Sequence, residues 1–167
     1  MTEAMAEKAT TTASGASQPA TMMTAKFGEI TIDPEKIITM TTPFLGFPES
    51  SRFVLRPHGE KSPFIWLQSL DNPDLAFVMI NPTLLIPAYC PEIPPMVLDE
   101  LEVNEQQQLE LLVILAIPHG RIEEMTANLL GPVAINPMKR IAKQVPLDPT
   151  RYDPCWQVLV EDEQANP

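Results

Sequence analysis

The chain holds few groups able to do covalent or acid–base chemistry, and their spacing suits it poorly. His58 and His119 are its only histidines, and each sits in a Pro-His-Gly turn, at 57–59 and 118–120. The glycine there supplies the positive φ that a tight turn needs. His119 with Glu123 or Glu124 could form an acid–base pair, but two exposed turn histidines are the simpler reading. Cys155 lies between Pro154 and Trp156. A nucleophilic thiol needs a basic neighbour to become thiolate, and Arg151 is near but no histidine is. Asp71-Asn72-Pro73-Asp74 gathers two carboxylates, yet its central Asn-Pro marks a turn. There is no CxxC, HxH or HExxH spacing for a metal, and no glycine-rich phosphate loop. The expectation is therefore no catalytic residue, no cofactor site and no metal site. Cys90 and Cys155 are too few for a disulfide framework, which suggests reduced thiols.

Other motifs look structural or interface-forming. Phe64-Ile65-Trp66-Leu67-Gln68-Ser69-Leu70-Asp71 is a dense apolar strand followed by a polar turn. Met125-Thr126-Ala127-Asn128-Leu129-Leu130 places Thr126 and Asn128 on one face of a strand, and 131–137 ends in Asn136-Pro137. Asn and Thr in such places either bond the backbone of turns or form the polar rim of an interface.

These motifs need elements to position them, and proline limits the choice. Most of the 19 prolines lie between Pro43 and Pro154. Proline breaks helix interiors, so long helices are excluded from that span. The proline-free stretch 96–108 is the one helical candidate, at about two turns, with Asp99, Glu100 and Glu102 favouring a helix start. Short apolar runs at 28–33, 51–56, 64–67, 75–80, 109–117, 131–136 and 141–147 read as strands. The run 109–117 is too continuously apolar to have a wet face and is expected to be covered on both sides. Trp66 and Phe77, with apolar neighbours, are expected in the core. The predicted fold is all-β: a compact, single-domain, barrel-like antiparallel β fold with one short helix. Residues 1–25, rich in Ala and Thr and free of Val, Ile, Leu and aromatics, read as a disordered arm. Residues 26–157 form the β domain, and 158–167 an acidic tail.

The net charge is −11, with 44% of residues hydrophobic. Such a chain can bury a core, but it is a poor ligand for nucleic acid, whose phosphates need Lys and Arg. The same charge argues against an anionic membrane. The longest apolar run, residues 111–117, is far short of the roughly 20 residues that span a bilayer. No basic-then-apolar leader opens the chain, so a cytoplasmic protein is expected. Residues 92–124 are strongly acidic. They are a solvated face or a docking surface for a basic protein.

The run from Pro63 to Phe77, Pro-Phe-Ile-Trp-Leu-Gln-Ser-Leu-Asp-Asn-Pro-Asp-Leu-Ala-Phe, resembles the signature of the flagellar assembly factor FliW family. So do Thr126-Ala127-Asn128-Leu129, Pro132-Val133-Ala134-Ile135-Asn136, Gln144-Val145, Tyr152 and the opening Phe27-Gly28-Glu29-Ile30. The motifs keep the family's order over residues 26–157. Departures are Pro43-Phe44-Leu45-Gly46-Phe47 in place of a Gly-Leu-Pro-Gly-Phe turn, Ile86-Pro87-Ala88-Tyr89 in place of Phe-Pro-Asp-Tyr, and Gly131 where alanine is common. The resemblance implies a small β-barrel-like, non-enzymatic protein of the cytoplasm. Such proteins bind the RNA-binding repressor CsrA away from its RNA surface and relieve its repression of flagellin mRNA. They also bind newly made flagellin, which competes. It further implies a partner surface using Gln68, Asp71, Asn72, Tyr89, Asn128, Asn136 and Tyr152. Charge alone adds Glu100, Glu102 and Glu105. Two alternatives stand beside this: a dedicated flagellin chaperone without CsrA binding, and a small barrel enzyme using His119, Glu123 or Cys155.

Overall fold

The computed structural model describes residues 20–158. Residues 1–19 of the expected arm, and the tail after Val158, lie outside them. The arm's boundary is corrected at its inner end. Residues 20–24 form strand β1 (Ala20–Thr24), paired antiparallel with β2 (Gly28–Ile32). Turn chemistry closes this hairpin. Thr24 Oγ1 donates to the Gly28 carbonyl at 2.9 Å and accepts from the Phe27 N–H at 3.0 Å. Gly28 has φ of 68°, a conformation open to a residue without Cβ. Composition weighs apolar burial and misses a hairpin held by its own turn.

The remaining strands are β3 (Ile38–Met40), β4 (Arg52–Pro57), β5 (Ile65–Ser69), β6 (Ala76–Ile80), β7 (Glu110–Ala116), β8 (Thr126–Ala127), β9 (Val133–Asn136), β10 (Ile141–Gln144) and β11 (Trp156–Gln157). Pairing runs β7-β6-β5-β4-β3-β10-β9, and a β7–β9 pairing closes the ring into a seven-stranded barrel. β8 and β11 continue outward from β7. Every pairing is antiparallel except β3–β10, which is parallel.

Period-two alternation fills the barrel. Ile38, Met40, Phe53, Leu67, Met79, Leu112, Val133, Ile135 and Ala142 point inward, and Phe44 plugs the interior beside them. Phe77 belongs to this interior, 4.8 Å from Phe44 between ring centres. β7 is covered on both sides, as its sequence requires. Leu112 and Ile114 face the interior, while Val113 and Leu115 face an outer cluster with Met125, Ala127, Leu129 and Tyr89. A second outer cluster seats α1 (Pro95–Glu100) against β9 and β10 through Val97, Leu101, Ala134 and Val145.

The helix has the roughly two turns expected in the 96–108 stretch, and it begins one residue before that stretch. It opens on Pro95, whose φ is pre-set for a first turn. It stops because Leu101 is wholly buried and its carbonyl accepts from Asn136 Nδ2 at 2.7 Å. Glu102 then turns to φ of 60°. Residues Gln106–Gln108 form a separate 3-10 turn, with Gln108 Oε1 accepting from the Asn104 and Glu105 N–H groups.

Candidate partner-binding surfaces

The polar residues singled out from sequence are spread over the molecule, and several turn inward. Gln68 is fully buried on β5, where its Nε2 donates to the carbonyls of Ser69 at 2.9 Å and Leu75 at 3.2 Å. Asp71 is a strut. Its Oδ2 accepts from the Ser51 and Arg52 N–H groups, both at 2.9 Å, and its Oδ1 accepts from Arg52 Nε and Nη2 at 3.1 and 2.9 Å. Burial opposes its charge. The main-chain donors and the Arg52 guanidinium outweigh that and hold the carboxyl below its ordinary value. Asn72 Oδ1 accepts from the Asp74 N–H at 3.0 Å, so the loop satisfies itself.

Tyr89 is corrected from surface to core. It is buried, its Oη donates to the Leu129 carbonyl at 2.8 Å, and its ring meets Tyr152 edge-on at 5.6 Å. Burial, then the neighbouring Tyr152, push its phenol above the ordinary range. Tyr152 itself stays half-exposed. Asn136 is also corrected to a buried tie: Nδ2 bonds Leu101, and Oδ1 accepts from Met138 and Lys139 N–H at 3.0 and 3.1 Å. Asn128 Oδ1 caps Leu130 and Gly131 N–H at 3.1 and 3.0 Å, with the side chain part-exposed. The acidic trio is less free than its charge suggests. Glu100 pairs with Lys143 at 3.5 Å and Glu102 with Lys139 at 3.1 Å, while Glu105 is exposed.

Of the groups with chemical potential, Cys90 and Cys155 are exposed free thiols, and Arg121 pairs with Glu124 at 3.0 Å. Among the described residues no cluster of His, Cys, Asp and Glu could hold a metal ion. Among them, too, no helix is long and apolar enough to cross a membrane.

The barrel's outer face also carries an apolar groove that sequence reading missed. Trp66 is not a core residue. It lies on the outside of β5, and its Nε1 donates to His58 Nδ1 at 3.1 Å. The register puts Trp66 opposite Val78, and Val78 opposite Leu115. These three floor a groove of about 140 Å³ walled by His58, Phe64, Ile117, Ile122 and Met125. Ile122 is 53% exposed at its edge. An apolar concavity with one polar group suits an apolar side chain of a partner. A signal was present: Trp66 and Leu67 are consecutive on a strand, so only one can face inward. A second apolar hollow, of about 380 Å³, lies between Leu45, Asn128, Leu130, Gly131, Gln144, Pro146 and Pro154. It gathers the later motifs around Leu45, which is 96% exposed.

A sequence profile described as FliW protein matches residues 21–157. The flagellar assembly factor FliW of Syntrophus aciditrophicus is 39% identical over 140 residues, covering 84% of this chain and 88% of the relative. That of Caldanaerobacter subterraneus subsp. tengcongensis is 40% identical over 143 residues, covering 85% and 95%. A crystal structure of the flagellar assembly factor FliW superposes with TM-score 0.76 at 34% identity, covering 83% of this chain and 96% of that one.

Proposed function

The chain belongs to the FliW family, and on that premise we propose that it is a cytoplasmic flagellar assembly factor that works by exchanging protein partners. One partner is the basic RNA-binding repressor CsrA, whose hold on flagellin mRNA it relieves. The other is flagellin, which competes for it. Accumulating flagellin then occupies the protein and frees CsrA to stop further synthesis. No bond is made or broken by the chain in this account. Family membership over nearly the whole β domain is the observation that carries the reading. Two features support it. A net charge of −11 favours encounter with a basic partner, and apolar hollows on a closed barrel present rigid docking surfaces. A flagellin chaperone without CsrA binding is the second reading, which the altered Ile86-Pro87-Ala88-Tyr89 motif leaves open.

Exposure narrows the proposed contact residues to Asp71, Asn72, Asn128, Tyr152, Glu100, Glu102 and Glu105, because Gln68, Tyr89 and Asn136 are buried. Reversing Glu100, Glu102 and Glu105 to Lys tests the acidic face. Association with CsrA slows and its salt dependence flattens if that face steers the encounter. Unchanged association rates at low salt remove those three residues from the surface.

A further inference from the structure

The β1–β2 hairpin forms a sheet of its own and pairs with no barrel strand among the described residues. Its tip rests on the outer face of β4 and β5. One main-chain bond holds it there, from the Ala25 N–H to the Pro73 carbonyl at 3.0 Å. Ring contacts complete the hold. Phe27 meets Trp66 edge-on at 5.7 Å, Lys26 Nζ lies 4.5 Å from the Trp66 ring centre, and the Arg56 guanidinium lies 4.9 Å from that of Phe27.

This lightly held tip covers an unsatisfied surface. Arg56 Nε and Gln68 Oε1 are the buried side-chain polar atoms left without a hydrogen-bond partner among the described residues. The Gln68 amide is oriented by its Nε2 bonds to Ser69 and Leu75, so its oxygen is stranded. Both side chains leave the same outer face, since Arg56 pairs with Trp66 and Val54 with Gln68 across β4 and β5. One orphan is a donor and the other an acceptor, which is what a peptide main chain complements. Burying such atoms unpaired is costly, so the closed tip hides groups that it does not satisfy. Beside them is a cavity of about 310 Å³ lined by Ala25, Lys26, Gln68, Pro73, Asp74 and Ala76. The apolar groove at Trp66 and Val78 lies one cross-strand row further along the same strands.

We propose that the hairpin tip, residues 25–28, is a lid, and that an extended segment of a protein partner displaces it. The segment sets an apolar side chain in the Trp66 groove, a main-chain carbonyl on Arg56 and an N–H on Gln68. Lys26 and Arg56 place two cations at this end of an acidic molecule, against the one acid, Asp74, that lines the cavity, which disfavours the basic partner. The occupant is therefore a segment of flagellin, and to that extent the assignment rests on the function proposed above.

A disulfide lock tests the lid. Ala25→Cys with Asp74→Cys, in a chain carrying Cys90→Ser and Cys155→Ser, is titrated with the host's flagellin before and after reduction. Oxidation weakens binding by about tenfold or more, because the competent population falls, and reduction restores it. Restoration on reduction also shows that the variant is folded. Equal affinity in both states, with flagellin bound, overturns the lid. Amide exchange of the unmodified protein alone decides the matter independently of any partner. The Ala25 amide exchanges far faster than the β5 amides if the tip opens. Exchange as slow as in β5, with ordinary waters on the two polar atoms, overturns the lid. Failure of the chain to bind either protein counts against the proposed function and leaves this exchange result to judge the lid.

Discussion

At the scale of single residues, the side chains that look most like contacts are those that hold loops in place. Asp71 joins the start of β4 to the end of β5 through two main-chain amides and a bidentate Arg52. Asp71→Ala is expected to cost roughly 1–2 kcal/mol in urea denaturation, since the amides lose their acceptor while water still reaches the site. Its pH dependence has a definite sign. The folded carboxyl sits below its unfolded value of 3.8, so its stabilisation is fully present above that pH and is lost as pH falls through the folded value. The difference between wild type and Asp71→Ala should therefore be large at neutral pH and shrink below pH about 3.8. Tyr89→Phe strands the Leu129 carbonyl in the outer cluster and should lower stability by about 1–2 kcal/mol without changing partner affinity. Sequence could name these residues as turn or interface residues but could not choose between the two. An Asn or Asp in a turn reads alike whether it faces water or reaches a strand 19 or 20 positions away.

The elements show the opposite balance, because period and punctuation are local properties. The apolar run at 109–117 predicts a strand covered twice, and β7 is one. Leu112→Ala opens a cavity in the barrel and Val113→Ala opens one outside it. Each is expected to destabilise by about 2–4 kcal/mol, whereas a one-sided strand would tolerate one of them. Measured unfolding free energies of the two variants check this. The helix was harder to delimit, since residues 96–108 are good helix formers. Its end is set by tertiary ties at Leu101 and Asn136, and Glu102 is left at φ of 60°. Glu102→Gly removes that strain and should stabilise the protein by about 0.5–1 kcal/mol despite losing an exposed ion pair to Lys139. The hairpin strand β1 escaped notice for the converse reason. Its ATMMT sequence carries no strong strand signal, and its order comes from the Thr24 turn.

At the scale of the whole molecule, barrel closure turns a chain of short strands into a rigid object with no long open edge. β7 pairs with both β6 and β9, so the ring holds the groove floor at Trp66, Val78 and Leu115 in one register. The all-β class was legible in proline spacing and strand runs. The parallel β3–β10 pairing was not, because it joins segments about a hundred residues apart and leaves no local trace. The partner switch belongs to this scale too, since it needs two ligands coupled through one scaffold. Its most direct test is a calorimetric titration of the protein with its host's CsrA, repeated after saturation with flagellin. The account predicts tight CsrA binding that flagellin weakens by at least about tenfold, the size of an ordinary coupling between sites. CsrA binding that is absent, or that is undiminished by bound flagellin, would contradict it.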